Sequence, residues 1–293
     1  MTTVRRFTSF ATRQFIQIQR WVNRLFNTVW AQRLIRLGHA AKGLLYGAIA
    51  LISMRSVVYD SESAGGSDAV IAALDDRAVG SVLLLFLCIG LAGYSFWRLV
   101  QALVDPDYAD QPMTLKRVAQ RCGYTCSALT YSGIGYSAGR LAIGLTVDFD
   151  DTAEEIAETL FEVPVGAWAL SACGVGVMGI GLIYIYGAYS GSFISDFQTK
   201  LYSAVKRLTV FMGKLGYTAR GVSFVLVGAY LIKAAYFLDD EAAGGMGQVL
   251  DRLDDVRFGK IWLTAIAFGF FAYAIYMIMA ALYRKFPTEK RLR

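Results

Sequence analysis

The chain has 293 residues, 56% of them hydrophobic, with a mean hydropathy of +0.44 and a formal net charge of +6. The apolar residues gather into six separated stretches of about twenty, which excludes an ordinary soluble domain, because most of these stretches lack a solvated face. The basic residues are confined to particular loops and termini, so the pI of about 9.1 does not read as a nucleic-acid surface.

Residues 1–35 form the first unit. Phe7, Phe10, Phe15, Ile18, Trp21, Val22, Leu25, Phe26 and Val29 recur at roughly helical spacing, with Arg13, Gln14, Gln17, Arg20, Arg24 and Asn27 between them. The pattern predicts an amphipathic helix over 7–34 lying in the cytoplasmic interface, its arginines near lipid phosphates. A helix that recruits a cytoplasmic partner is the alternative. The first apolar run is too long, and begins too late, for a cleaved signal peptide.

Three hairpins follow, at 36–105, 106–188 and 189–285, the last two with their cytoplasmic linkers; a basic tail occupies 286–293. Their anchors are Leu37-Gly38-His39-Ala40-Ala41-Lys42-Gly43, Cys122-Gly123-Tyr124-Thr125-Cys126-Ser127-Ala128 and Leu215-Gly216-Tyr217-Thr218-Ala219-Arg220-Gly221. A second apolar stretch starts at Gly80, Gly166 and Gly259, and small residues recur ten and thirteen positions on: Gly90 and Gly93, Gly176 and Gly179, Gly269 and Ala272. Matched offsets in three copies mark an internal repeat. A helix needs roughly 20 apolar residues to cross a hydrocarbon core. The expectation is therefore an all-α polytopic membrane protein with six spans, at 38–59, 80–104, 123–147, 165–188, 216–238 and 259–283.

Charge fixes the expected orientation. Residues 1–37, 105–122, 189–215 and 284–293 hold nineteen Lys and Arg; the loops 56–79, 148–164 and 239–258 hold three, with eighteen of the 23 acids. The positive-inside rule puts both termini in the cytoplasm. The plasma membrane is the expected location, or a thylakoid membrane in a cell that has one. The loops before Gly80, Gly166 and Gly259 predict a short amphipathic turn or two on the outer surface. Leu115–Val118 and 202–208 are basic amphipathic stretches in the cytoplasmic connections.

Arg36-Leu37-Gly38-His39-Ala40-Ala41-Lys42-Gly43-Leu44-Leu45-Tyr46 and Gly90-Leu91-Ala92-Gly93-Tyr94-Ser95-Phe96-Trp97-Arg98 resemble the bacterial membrane family DUF1206, a domain of unknown function built from three pairs of transmembrane helices. The resemblance covers about 36–285. The third copy, Leu215 to Phe224, is similar; the middle copy departs, with Ser127 for the basic residue and Ala128 for the glycine. The resemblance implies architecture and brings no catalytic residue.

Four cysteines and a single histidine, His39, offer neither a disulfide framework nor a metal site, and no cofactor is expected. The deep spans contain no Asp or Glu, so the base and orienting group of an enzyme are missing, as is the usual proton carrier of a coupled transporter. The repeated cations are the candidate site. Four residues after the anchor glycines stand Lys42, Ser127 and Arg220; eight after, Tyr46, Tyr131 and Phe224; seventeen after, Arg55, Arg140 and Lys233. Snorkelling toward phosphates or loop acids accounts for the outer group, with Asp148, Asp150 and Asp151 available to Arg140, and Asp239 and Asp240 to Lys233. The functional reading is that Lys42, Arg220, Arg55, Arg140 and Lys233 contact anions or lipid head groups. At 100° per residue the inner and outer groups point about 140° apart, so they form separate sites. Two functions remain open: a channel or uniporter for a small neutral or anionic solute, and a non-catalytic scaffold meeting anionic lipids, a membrane-protein partner or a second copy of itself.

Overall fold

In the computed structural model the residues described are 28–59, 65–75, 80–104, 114–145, 147, 152–197, 203–239, 242–254 and 256–284. Each repeat gives a long helix, a short helix and a second long helix. These are α1 Val29–Tyr59, α2 Ser67–Asp75 and α3 Gly80–Leu103; α4 Leu115–Ala142, α5 Thr152–Phe161 and α6 Gly166–Ser190; and α7 Ser203–Phe237, α8 Met246–Asp254 and α9 Gly259–Tyr283. A 3-10 turn, Ser192–Asp196, follows α6.

The chain is an all-α, polytopic membrane protein. Five helices, α1, α3, α6, α7 and α9, are long and apolar enough to cross a bilayer. The 28-residue α4 has the length but falls short in apolarity. It opens with Lys116, Arg117, Gln120 and Arg121 and carries Ser127, Thr130, Ser132 and Ser137 further on. Thr125 and Thr130 lie exposed and donate their hydroxyls to Arg121 O and Cys126 O of their own helix, at 3.1 and 3.0 Å. Local bonding of this kind removes most of the cost of a hydroxyl facing hydrocarbon.

The boundaries differ from expectation in a consistent way. The basic stretches 115–118 and 202–208, expected in the connections, belong to the first turns of α4 and α7, residue 202 lying outside the described residues. Residues 29–34 likewise open α1, continuous with the span; the rest of the expected interfacial helix lies outside the described residues, as does the basic tail. At its far end α4 stops at Ala142 rather than near 147, where Gly144 turns the chain with φ +76°. The short turns expected before Gly80, Gly166 and Gly259 are full helices of nine, ten and nine residues.

The long helices form an incomplete ring. The second long helix of each repeat packs on the first of the next, as α3 on α4, α6 on α7 and α9 on α1. Within repeats, α1 packs on α3 and α7 on α9, while α4 and α6 form no packed interface. The glycines explain the closed seams. A Cβ on Gly38 would sit 2.9 Å from Gly90 O and Tyr94 Cβ, and one on Gly90 would overlap Ala41. The third repeat copies this: a Cβ on Gly216 would meet Tyr273 Cβ at 2.6 Å, and one on Gly269 would overlap Ala219. Such approach lets dispersion hold helices together in lipid. The equivalent glycines of the second repeat, Gly123, Gly176 and Gly179, have nothing within 4 Å of the point where a Cβ would stand. At the end remote from the anchor glycines α2 meets α8, Gly66 abutting Gly247, and α5 packs on α6 instead.

Candidate functional site

The inside of the ring is built from one or two side chains of every long helix. Lys42 and Tyr46, one turn apart on α1, point inward because Gly38 and Gly43 hold that face against α3 and α9. Tyr94 and Arg98 come from α3, Tyr131 from α4, Tyr184 from α6, Arg220 and Phe224 from α7, and Tyr273 from α9. Lys42 is 0% exposed and Arg220 3%.

The two cations hold homologous bonds. Lys42 Nζ donates to Tyr94 Oη at 2.8 Å, and Arg220 Nη1 donates to Tyr273 Oη at 2.8 Å. Each bond joins the two long helices of one hairpin. Tyr94 and Tyr273 occupy the same repeat position, fourteen residues after Gly80 and Gly259; the second repeat has Ile180 there, opposite Ser127. The second hairpin therefore has neither partner of the clasp, and it is the one whose helices stand apart. The Ser127 hydroxyl is buried with no partner.

Aromatic faces supply the remaining stabilisation. Lys42 Nζ lies 4.5 Å from the Tyr94 ring centroid and 4.4 Å from that of Tyr131. The Arg220 guanidinium lies 4.8 Å from Tyr184, 5.1 Å from Phe224 and 5.3 Å from both Tyr46 and Tyr273. Ring quadrupoles attract cations by about 0.5–2 kcal/mol each. Tyr46 Oη and Tyr131 Oη are 3.1 Å apart, closing the layer. Arg98 Nε donates to Tyr94 Oη at 2.8 Å and Nη1 to Gln101 Oε1 at 3.0 Å.

Donors outnumber acceptors. None of the six long helices contains Asp or Glu, and the oxygens that Lys42 and Arg220 bond are phenolic. The Nε of Arg220 is buried without a hydrogen-bond partner. A guanidinium stays charged in proteins and offers five N–H groups. Burying one without a counter-anion costs several kcal/mol that rings and hydroxyls offset in part. The arrangement leaves Arg220 with unused charged donor capacity in a centre whose long helices carry no carboxylate.

The structure brings Lys42 and Arg220 together and leaves the outer group apart. Arg55 and Lys233 are exposed, Lys233 lying 5.9 Å over Tyr230; Arg140 is half-buried, 5.9 Å over Tyr136. The proposed partners Asp148, Asp150, Asp151 and Asp240 lie outside the described residues. His39 is held on both sides: Nδ1 is 2.8 Å from Ile35 O, and Arg284 Nη1 donates to Nε2 at 2.7 Å. A carbonyl cannot donate and a guanidinium cannot accept, so Nδ1 carries the proton.

Sequence reasoning missed the tyrosine partners. The sequence reading pairs neither Tyr94 nor Tyr273 with a cation. Their matched offset was the available signal. It also missed a second repeated device, two residues before the anchor glycine. Arg36 donates to Ala281 O and Leu282 O at 3.2 and 2.6 Å, and Arg121 to Ala102 O and Leu103 O at 2.5 and 2.7 Å. Arg36 caps the open carbonyls at the end of α9 and Arg121 those at the end of α3, where a cation also suits the helix dipole.

A family model described as Domain of Unknown Function (DUF1206) matches residues 37–105, 122–191 and 215–284. Each match opens one residue before an anchor glycine. The chain is also similar to the "Uncharacterized protein YxxB" of Bacillus subtilis (strain 168), 27% identical over 265 residues, which span 89% of this chain and 94% of that protein. No solved structure matches it.

Proposed function

The chain belongs to the DUF1206 family, and from that premise we propose that it is a non-enzymatic membrane protein that binds a small anion at the Lys42–Arg220 cluster and carries it across the bilayer. The observation that carries this reading is the pair of buried cations enclosed by long helices that contain no carboxylate. A purely structural pair would be expected to bring its own counter-ion, since an unneutralised buried guanidinium opposes folding. The tyrosine-filled centre supports an occluded carrier site in preference to an open channel, because the cations are not in contact with water.

In this reading α4 is the sixth span, completing three hairpins inserted in parallel around an axis near the membrane normal. Both termini and the anchor glycines face the cytoplasm of the plasma membrane, where the basic loops meet anionic lipid. One observation favours the scaffold alternative: the Lys42–Tyr94 and Arg220–Tyr273 bonds can serve as clasps that merely hold hairpins shut. The amino-terminal segment would then recruit the partner.

Reconstitution into liposomes separates the two. The expected outcome is efflux of at least one small anion, reduced tenfold or more by Arg220→Gln and unaltered by Arg140→Ala with Lys233→Ala. Absence of flux across a broad anion panel, together with no thermal stabilisation by any of those anions, would favour the scaffold.

A further inference from the structure

The anion-binding reading says nothing of how a ligand reaches the cluster, and the second hairpin supplies a route. On α6, Gly174 and Gly181 face α7, a Cβ on either meeting Gly228 O or Gly221 O within 2.8 Å. At 100° per residue, Gly176 and Gly179 lie roughly 140–160° away, on the opposite side of the helix. On α4, Gly135 and Gly139 face Leu91 and Cys88 of α3; Cys126, Thr130 and Gly133 lie on the opposite side and are exposed. Position by position, these are the surfaces that the other repeats bury. Leu45 and Ser223, seven residues after their anchors, are 1% and 0% exposed, whereas Thr130 at that position is open.

The two free surfaces carry no charge. Residues 123–139 of α4 and the whole of α6 contain no Asp, Glu, Lys or Arg. Behind them Lys42 and Arg98 reach rings of α4, and Arg220 reaches rings of both α4 and α6. Its guanidinium lies 5.7 Å from the ring of Tyr131 on α4 and 4.8 Å from that of Tyr184 on α6, and its Nε is the buried donor with no partner.

We propose that the space between α4 and α6 admits an anionic lipid from the bilayer, its carboxylate or phosphate head bound by Arg220 and an acyl chain lying along the Gly123, Gly176 and Gly179 faces. This rests on the anion-binding reading and specifies its ligand. Charge complementarity selects the occupant. Uncharged walls opening on hydrocarbon favour a chain, and a guanidinium at the end with its Nε–H unpartnered favours an anion. A water-soluble anion would have to leave its hydration shell to cross the same walls. The second hairpin stays open because it lacks the clasp, having Ser127 and Ile180 where the others have a cation and a tyrosine.

The test uses the full chain in nanodiscs of phosphatidylcholine, with a fatty acid bearing a mid-chain diazirine as the probe. Thermal stabilisation by inorganic phosphate is measured alongside in detergent. The expected result is photolabelling concentrated on α4 and α6, lowered at least fivefold by Arg220→Gln and by either wall variant, Gly176→Leu or Gly133→Leu. Phosphate stabilisation should be lost in Arg220→Gln and kept in the wall variants, which also reports that they fold. If phosphate stabilises through Arg220 but labelling is spread over all the helices or ignores the wall variants, the lipid route is overturned and the anion site stands. If neither probe depends on Arg220, both fall. Crosslinking of two copies through α4 and α6, with the fatty acid excluded, would assign the space to self-association and overturn the proposal.

Discussion

The Lys42–Tyr94 bond is a case in which one hydrogen bond ties together residues 52 positions apart inside a membrane protein. A charge-assisted bond to a buried group contributes about 1.5–3 kcal/mol; measured couplings inside membranes run lower, about 0.6 kcal/mol on average. A double-mutant cycle of Lys42→Met and Tyr94→Phe, read by unfolding in bicelles, should give a coupling of about 1–2 kcal/mol. Additive effects would mean that the bond holds nothing. Arg220→Lys tests the neighbouring site differently. It keeps a charge but removes the fork that meets Tyr273 and leaves Nε free, so anion-dependent stabilisation should drop by tenfold or more in apparent affinity. The cations at these positions were legible in the sequence, because the anchor repeats expose them. Their partners were not, because the pairing tyrosine lies on another helix and only packing shows which ring each cation reaches.

At the scale of elements, equivalent glycines should respond unequally. Gly90→Leu and Gly269→Leu drive a side chain into Ala41 and Ala219, and overpacking of this kind costs about 1–3 kcal/mol or more. Gly176→Leu meets open space, and replacing a helical glycine gains up to about 1 kcal/mol in propensity. Unfolding measurements on the three variants should therefore place the first two well below the parent and the third level with it or above. Equal losses would mean that the second hairpin closes like the others. A further prediction concerns the arginine caps: Arg121→Ala should cost about 0.5–2 kcal/mol, since it bares the end of α3 at the α3–α4 seam. The six long helices were legible as separate stretches because length and apolarity are local properties. The starts of α4 and α7 were not, since their basic turns read as loop until they are seen to continue the helix.

For the whole molecule, the orientation and the crossing of α4 are tested together. In a chain with Cys88, Cys122, Cys126 and Cys173 replaced by Ser, Thr114→Cys and Glu155→Cys bracket that helix; both residues are exposed. An impermeant maleimide should reach residue 155 from outside and residue 114 only after the membrane is opened. Labelling of both from the same side would remove α4 from the count of spans. The sequence by itself determined the helical class, the threefold repetition and the side on which each loop is expected, because apolar length and charge are read along the chain without reference to contacts. It also marked Lys42 and Arg220 as one repeated position. Only the tertiary structure decided that these two cations share one tyrosine-lined centre while Arg55, Arg140 and Lys233 stay at the periphery. It decided, too, that one of three nearly equivalent hairpins is open. Packing is the reason: the glycines of the three hairpins look alike in sequence, but in the two closed hairpins a cation on one helix bonds a tyrosine on the other, and the second hairpin has Ser127 and Ile180 at those positions.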